Sequence, residues 1–311
     1  MSELPLVSII AVCYNQAKYA VETLDSIKNQ TYPNIELIIM DDCSTDNSVE
    51  VIQQWIKETD YHCELVAHQE NQGLCKTLNE ALQLINGIYY QILACDDIIL
   101  EQKIESQVDL FQELSDDYAV IFSDAIFMDE NSTNLDARFI QRCRPRMLKV
   151  TGGDIYKDLL DSNFIPAPTV LLKTEIVKNL GGYDNRLFYE DYDLWLQIAK
   201  KYHFYFMPKI VTRYRIHENN LHTTKAFKEK ELMNLCLIYA KHNDMPKGKK
   251  RFKHVVLQLY RTGVYKKFKN QIFSVSTDSK VFSFMKYNVN FKIYKLLLWF
   301  TTKLKILKFI E

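Results

Sequence analysis

The chain has 311 residues, 47% hydrophobic and 25% charged, which suits one large globular domain with an appendage and excludes a disordered or fibrous chain. Its 39 basic and 39 acidic side chains cancel, but unevenly: residues 241–311 hold 17 Lys or Arg against three acids, leaving 22 basic and 36 acidic side chains in the first 240. An acidic body with a basic tail speaks of partners rather than of fold. Residues 1–5 lack a basic region followed by an apolar core, so no signal peptide is expected. The longest strongly apolar run, Leu296 to Phe300, falls far short of the roughly 20 residues of a membrane span. The seven cysteines are scattered and form no C-x-x-C pair, which predicts buried or half-buried free thiols in a reducing cytosol.

In chain order, Val7 to Val12 is a short β-branched run that ends at the polar turn Tyr14-Asn15. Ala20, Leu24 and Ile27 then recur at helical spacing, and Pro33 closes that segment. Ile35 to Met40 is a second apolar strand, running into Asp41-Asp42. Ser44 or Asp46 is placed to cap the next helix, whose apolar face is Val49, Ile52 and Ile56. Glu64 to His68 is a weaker third strand, and Gly73 opens a helix with Leu78, Leu82 and Ile85 inward. Tyr89 to Ala94 is a fourth strand, again ending in carboxylates at Asp96-Asp97. Strand and helix alternating in this way predict parallel βαβ units, whose ligands bind beyond the carboxyl ends of the strands. One acidic pair after a strand is as consistent with helix capping as with binding. Two pairs at equivalent strand ends point to a divalent metal, because converging carboxylates repel without a cation.

From about residue 115 the alternation loosens. Val120 to Phe122 reads as a strand, and residues 138–149, with Arg138, Arg142, Arg144, Arg146 and Lys149, read as a mobile loop. Glu190, Asp191 and Asp193 lie at the start of a helix whose apolar residues are Leu194, Trp195 and Ile198, where the helix dipole favours negative charge. Arg213, Arg215 and His217 alternate and so share one face of an extended segment.

The stretch from Ser8 to Ile52 resembles, over nearly its whole length, the opening of family 2 of the inverting glycosyltransferases with the GT-A fold. Further matches follow in order: Asn71-Gln-Gly73, Ala94-Cys-Asp96-Asp97, Gly181-Gly-Tyr-Asp184, Glu190-Asp191-Tyr-Asp193-Leu-Trp195 and Tyr214-Arg-Ile-His217. The resemblance covers residues 6–220. It implies an α/β fold, a mostly parallel sheet flanked by helices, over residues 1–224. The nucleotide-binding half would be about 1–115 and the acceptor-binding half 116–224, with a basic, mainly helical extension at 225–311.

The resemblance also implies roles. Val12, Tyr14, Asp42, Asn71, Gly73, Lys76 and Asp96 stand at nucleotide-binding positions, Asp42 as an acceptor favouring uracil or thymine. Lys76 reads equally well as a solvated helix residue. Asp97 and Asp96, with His217 as a further candidate, stand at the site of a Mn²⁺ or Mg²⁺ that neutralises the departing diphosphate. Ala94 replaces the first carboxylate of the fuller D-x-D form. Arg213 and Arg215 fall in a region that closes over the diphosphate. Asp191 matches the base that takes the acceptor's proton, and Glu190 supports acceptor binding. The other histidines, at 62, 68, 203, 222, 242 and 254, lack metal-ligand spacing and read as structural.

The expected donor is a nucleotide sugar, UDP-linked first and dTDP-linked second, and the acceptor a glycan or a lipid- or protein-linked hydroxyl. The expected setting is cytoplasmic, in bacterial surface-polysaccharide or glycoconjugate synthesis. Past residue 225 the composition turns basic and aromatic, with Lys292, Lys295, Lys303, Lys305 and Lys308 among apolar residues, which predicts peripheral attachment to an anionic inner leaflet rather than to nucleic acid. A sugar-nucleotide pyrophosphorylase or a dehydrogenase would carry glycines after the first strand, where this chain reads Cys13-Tyr-Asn-Gln-Ala17. A non-catalytic scaffold of the same fold is the remaining rival, supported by Ala94 alone.

Overall fold

A computed structural model describes residues 4–145, 150–218 and 225–268. The chain divides into two compact units, residues 1–220 and 221–311. In the first unit, β1 (Val7–Cys13), β2 (Ile35–Asp41), β3 (Glu64–Ala67) and β4 (Tyr89–Ala94) alternate with α1 (Ala17–Lys28), α2 (Ser48–Thr59) and α3 (Leu74–Leu84). The β-branched run of β1 is buried along nearly its whole length, as a strand covered on both faces must be. Then come β5 (Ile98–Ile99), α4 (Lys103–Glu113), β6 (Tyr118–Met128), β7 (Asn134–Arg138), α5 (Phe139–Cys143) and α6 (Tyr156–Leu159). β8 (Leu171–Lys173), α7 (Thr174–Asn179), α8 (Asp191–Ala199) and β9 (His203–Arg215) complete the unit.

The strands form one mixed sheet in the order β3-β2-β1-β4-β8-β6-β9-β5, with β7 paired to β6. β3, β2, β1 and β4 are mutually parallel, so their carboxyl ends align: Cys13 pairs with Asp41, and Val12 with Ala94. β8 runs antiparallel between β4 and β6, whereas β6 and β9 run parallel over their length with several register shifts. A core of Ile9, Leu24, Leu37, Ile52, Leu93 and Ile104 lies against this sheet. Of the expected α2 face, Ile52 is in the core and Ile56 packs against it, while Ser48 and Trp55 are buried beside them and Val49 is only half-buried. Trp55 is the larger anchor, and its indole N–H reaches Asp25 Oδ1 at 2.8 Å.

The buried Lys103 donates to Gln91 Oε1, to Gln107 Oε1 at 2.9 Å and to the Val170 carbonyl at 3.2 Å. Burial holds its amine well below the usual lysine range. The segment expected as a loop at 138–149 is structured over its described part. β7 ends at Arg138 and α5 follows, with Arg142 over the Phe127 ring at 5.1 Å and Arg144 over Phe164 at 4.2 Å. Stacking on aromatic rings, invisible in a count of charges, fixes these arginines. Arg146 and Lys149 lie outside the described residues.

In the second unit the described residues form α9 (Lys225–Lys241), α10 (Pro246–Thr262) and a short 3-10 turn at Val264–Lys266. α9 packs on α10 through Cys236, Leu237, Val256 and Leu259, all buried. Gly248 lies against His242, where a Cβ would come within 1.8 Å of a carbonyl oxygen. Residues 269–311, including the lysine-rich segment and Leu296 to Phe300, lie outside the described residues. No helix among the described residues is long and apolar enough to cross a membrane.

Candidate active site

The parallel strand ends are tied together by their own main chain. The Asp42 amide donates to the Cys13 carbonyl at 3.0 Å, and the Cys95 amide to the Val12 carbonyl at 2.9 Å. The first loops interlock as well: Asn15 Oδ1 accepts from the Thr45 amide at 2.7 Å, and Ser48 Oγ accepts from the Gln16 amide at 2.9 Å. Of the two expected capping residues, Ser44 instead bonds Asp41, whereas Asp46 Oδ1 accepts at 3.0 Å from the amide of Ser48, the first residue of α2. Tyr14 stands in front of this lacing, 49% exposed, as an open aromatic face.

The two members of the first acidic pair divide their roles. Asp41, wholly buried, closes a turn by accepting from the Ser44 amide and hydroxyl, so for Asp41 capping is the full account. The Asp42 carboxylate faces the loop before α3, where Oδ1 accepts from the Gln72 amide at 2.7 Å and Oδ2 from the Gly73 amide at 2.9 Å. A carboxylate thereby occupies the amides at the start of α3, which otherwise form an anion site. Asn71 adds an amide bond to the Asp42 carbonyl at 3.0 Å. Gly73 has φ +84° and ψ 146°, a conformation open essentially to glycine alone. Lys76 is exposed on the first turn of α3.

His68, expected to be structural, belongs to this cluster. Its Nδ1 lies 3.0 Å from Asp42 Oδ1 and its Nε2 lies 3.1 Å from Glu80 Oε2. Metal-ligand spacing in sequence cannot reveal it, because its partners come from β2 and α3. Its position directly after β3, one strand from Asp42, is the only sequence signal for it.

The second acidic pair is held from far along the chain. Asp97 Oδ1 accepts from the Arg215 amide at 2.9 Å, and Asp96 Oδ2 lies 2.9 Å from His217 Nε2. Burial first, and then the charge of Asp96, pushes the Asp97 carboxyl well above the usual carboxylate range, against the opposing pull of Arg215. His217 thus joins the acidic pair, as expected.

Arg213 and Arg215 correct the expectation of a diphosphate clamp. Arg215 is 1% exposed, and its guanidinium donates to the Asp96 carbonyl at 2.7 Å, Ser132 Oγ at 2.8 Å and Glu22 Oε2 at 2.6 Å while stacking on Tyr19 at 4.5 Å. A guanidinium with so many protein acceptors, closed off from solvent, is a brace for the Asp96-Asp97 turn and not a ligand for phosphate. Arg213, half-buried, donates to the Ser132 carbonyl and to Asn134 Oδ1. The shared face expected from their alternation exists, but it faces the turn between β6 and β7.

The third group sits at the start of α8. Glu190 is its N-cap residue and Asp191 its first residue. Asp191 Oδ2 accepts from Asn163 Nδ2 at 2.7 Å, a positioning partner that carries no motif. Burial, followed by the charge of Asp191, pushes Glu190 up to about 8. Glu190, its carboxyl held above the usual carboxylate range, thus stands beside Asp191, whose Oδ2 is fixed by Asn163. α3, which follows the loop bound to Asp42, also reaches the segment before α8: Asn79 Oδ1 accepts from the Tyr183 amide at 2.8 Å and Asn79 Nδ2 donates to the Tyr183 carbonyl at 2.8 Å. Burial raises the Tyr214 hydroxyl well above the ordinary tyrosine value, and the charges of Asp97, Asp96, Asp191 and Glu190 follow in that order.

Against known proteins, the family model described as "Glycosyl transferase family 2" matches residues 8–178. The chain belongs to that family. A relative from Bacillus subtilis, "Putative teichuronic acid biosynthesis glycosyltransferase TuaG", is 32% identical over 222 residues, 71% of this chain and 83% of its own. The "Uncharacterized glycosyltransferase MJ1057" of Methanocaldococcus jannaschii is 29% identical over 229 residues, 73% of this chain and 76% of its own. Among solved structures, S. aureus TarS 1–349 in complex with UDP superimposes with a TM-score of 0.57 at 18% identity, covering 84% of this chain and 74% of that one. The mannosyltransferase PcManGT from Pyrobaculum calidifontis, in complex with GDP-Man and Mn²⁺, does so with 0.60 at 19%, covering 97% and 84%. These likenesses establish the GT-A fold of this glycosyltransferase.

Proposed function

We propose that this glycosyltransferase moves a sugar from a nucleotide-diphosphate donor, UDP-linked first and dTDP-linked second, to an acceptor hydroxyl with inversion and with Mn²⁺ or Mg²⁺ bound. The observation that carries the reading is the pair of consecutive carboxylates just beyond the carboxyl end of β4, with Asp97 Oδ1 held by the Arg215 amide at 2.9 Å and Asp96 Oδ2 lying 2.9 Å from His217 Nε2. In this reading residues 1–224 act as the transferase domain, with the donor on the half before about residue 115 and the acceptor on the half after it.

Asp96 and Asp97 fit a hard divalent cation, because they are consecutive carboxylates crowded by burial and by each other, with His217 on the same Asp96 oxygen. Among the described residues no group of three or more His, Cys, Asp or Glu side chains could hold an ion by itself. A cation at such a two-carboxylate site takes its remaining ligands from substrate phosphates and water. When bound it would neutralise charge on the leaving diphosphate. Tyr14 offers its exposed face to the base, Asp42 accepts from the base, and Asn71, Gly73 and Val12 line the same strand ends. Lys76 is the open cation beside the loop, and takes the place that Arg215 cannot fill.

The reaction is a direct displacement. The acceptor oxygen forms its bond to the anomeric carbon as the bond from that carbon to the diphosphate oxygen breaks, and the acceptor proton passes to Asp191. Asn163 fixes the Asp191 carboxylate, and the protonated Glu190 donates to the acceptor. The naming of TuaG for teichuronic acid biosynthesis and the basic excess of residues 241–311 support a cell-surface polysaccharide or glycoconjugate acceptor met at the inner face of the membrane. A non-catalytic nucleotide-binding scaffold is the second reading, favoured by Ala94 at the place of the missing carboxylate.

The test uses the full chain with UDP-, dTDP- and GDP-sugars and Mn²⁺, read by thermal shift and donor hydrolysis, with flotation on anionic vesicles for the membrane part. A metal-dependent shift that Asp97→Ala abolishes is expected. Hydrolysis should fall by about 10²–10⁴ in Asp191→Asn while donor binding persists. If no nucleotide sugar binds with metal present, the scaffold reading replaces this one.

A further inference from the structure

We propose that His68, held by Glu80, turns the Asp42 carboxylate into a reader of a single imino N–H, so that the site takes uracil or thymine nucleotides and rejects guanine. The inference rests on the reading in which Asp42 faces the base of the donor.

A carboxylate offers about four acceptor positions, two on each oxygen. Asp42 Oδ1 receives the Gln72 amide at 2.7 Å and His68 Nδ1 at 3.0 Å, and Oδ2 receives the Gly73 amide at 2.9 Å. Oδ1 is therefore full, and Oδ2 keeps one open position. His68 Nδ1 faces Asp42 and Nε2 faces Glu80, and the ring fills the Asp42 Oδ1 position when Nδ1 is the nitrogen that donates. The side chains of His68 and Asp42 are 8% and 10% exposed, so water does not readily replace either contact. Glu80 fixes the far side of the ring from α3, the helix that the Asp42-bound loop opens.

The four bases meet this carboxylate differently. Guanine presents two parallel donors, N1–H and N2–H, which pair with both oxygens of a carboxylate, and here one oxygen has no room. Cytosine N3 and adenine N1 are lone pairs that would face a negative oxygen. Uracil and thymine present one N3–H, which matches one open position. A buried polar group left unpaired by the wrong ligand is the strongest means of rejection a site has. His68 thus acts as a specificity-determining residue by filling Oδ1.

The experiment is calorimetric titration of the full chain, with Mn²⁺ present, using UDP, dTDP, CDP, GDP and 3-methyl-UDP, which lacks the N3–H. Wild type should bind UDP and dTDP at least about tenfold more tightly than GDP, CDP or 3-methyl-UDP, the scale of one hydrogen bond to a charged group. His68→Phe keeps a flat ring but frees Oδ1, and should lower the UDP-to-GDP ratio about tenfold, chiefly by a gain in GDP affinity. Glu80→Gln, which leaves the ring less firmly held, should move the ratio the same way by less. If the Phe variant does not fold, the wild-type panel and Glu80→Gln decide. A wild type that binds GDP as tightly as UDP, or a His68→Phe ratio equal to wild type, overturns the inference while the nucleotide-sugar reading stands. Failure of every nucleoside diphosphate to bind overturns both.

Discussion

Asp42 is held by the Gln72 and Gly73 amides and by His68, groups that lie within 31 residues of it along the chain. Asp96 and Asp97 are held instead from β9, by Arg215 and His217, which lie 118 to 121 residues further on. Both pairs follow parallel strands, β2 and β4, that flank β1 on either side, so the sheet places them alike. The difference lies in what fixes the side chains. A short βαβ unit supplies main-chain amides at the first pair, whereas only closure of the mixed half of the sheet brings a buried guanidinium to the second. The Asp42 cluster proposed to meet the donor base is thus held locally, while the acidic turn proposed for the metal depends on the whole domain being assembled.

That contrast can be broken most forcefully at Arg215. Arg215→Met keeps the stem but removes the brace, leaving the Asp96 carbonyl and Glu22 without their partner. It should destabilise the domain by about 3 kcal/mol, read in denaturant unfolding, and abolish the metal-dependent thermal shift. Gly73→Ala is the local counterpart. No atom lies within 4 Å of its added Cβ, so its cost is the positive φ alone, roughly 1–3 kcal/mol, with weakened nucleotide binding and an intact metal response. If Gly73→Ala cost the metal response as well, the two pairs would not be independent.

The smallest effect concerns Glu190. Its folded-state pKa of about 8 lies above the ordinary value of 4.5, so between those limits the folded chain holds a proton that the unfolded chain releases. Its contribution to stability is complete below about pH 4.5 and is lost as pH rises through about 8. Glu190→Gln should flatten that part of the stability–pH curve. An unchanged slope would mean that the carboxyl is ionised throughout, and the division of roles with Asp191 would fall.

Much of the donor side was legible because its elements repeat a simple period. β1, β2, β3 and β4 fall on the β-branched runs read from sequence, and Gly73 marks the start of α3. The face of α2 was read in part: Ile52 and Ile56 pack on the core, but Trp55 rather than Val49 is the buried anchor, which packing decides and spacing does not. The acceptor side was legible only in motifs. Alternation put Arg213, Arg215 and His217 on one face, but alternation cannot say what that face meets, and the answer for both arginines was the turn at Ser132. His68 and Asn163 lay outside any motif, since their partners come from other elements.

The sequence by itself therefore determined the alternating α/β frame, the two strand-end acidic pairs and the helix that starts at Asp191. Each of these follows from local periodicity, turn residues and helix-end charge, whose range is a few residues. The tertiary structure alone decided that Asp41 closes a turn while Asp42 faces the loop before α3, that Arg215 braces rather than binds, and that Lys103 is buried among carbonyl oxygens. These are matters of desolvation and partner supply, and a side chain's share of water and partners is set by residues far away in the chain that folding brings beside it.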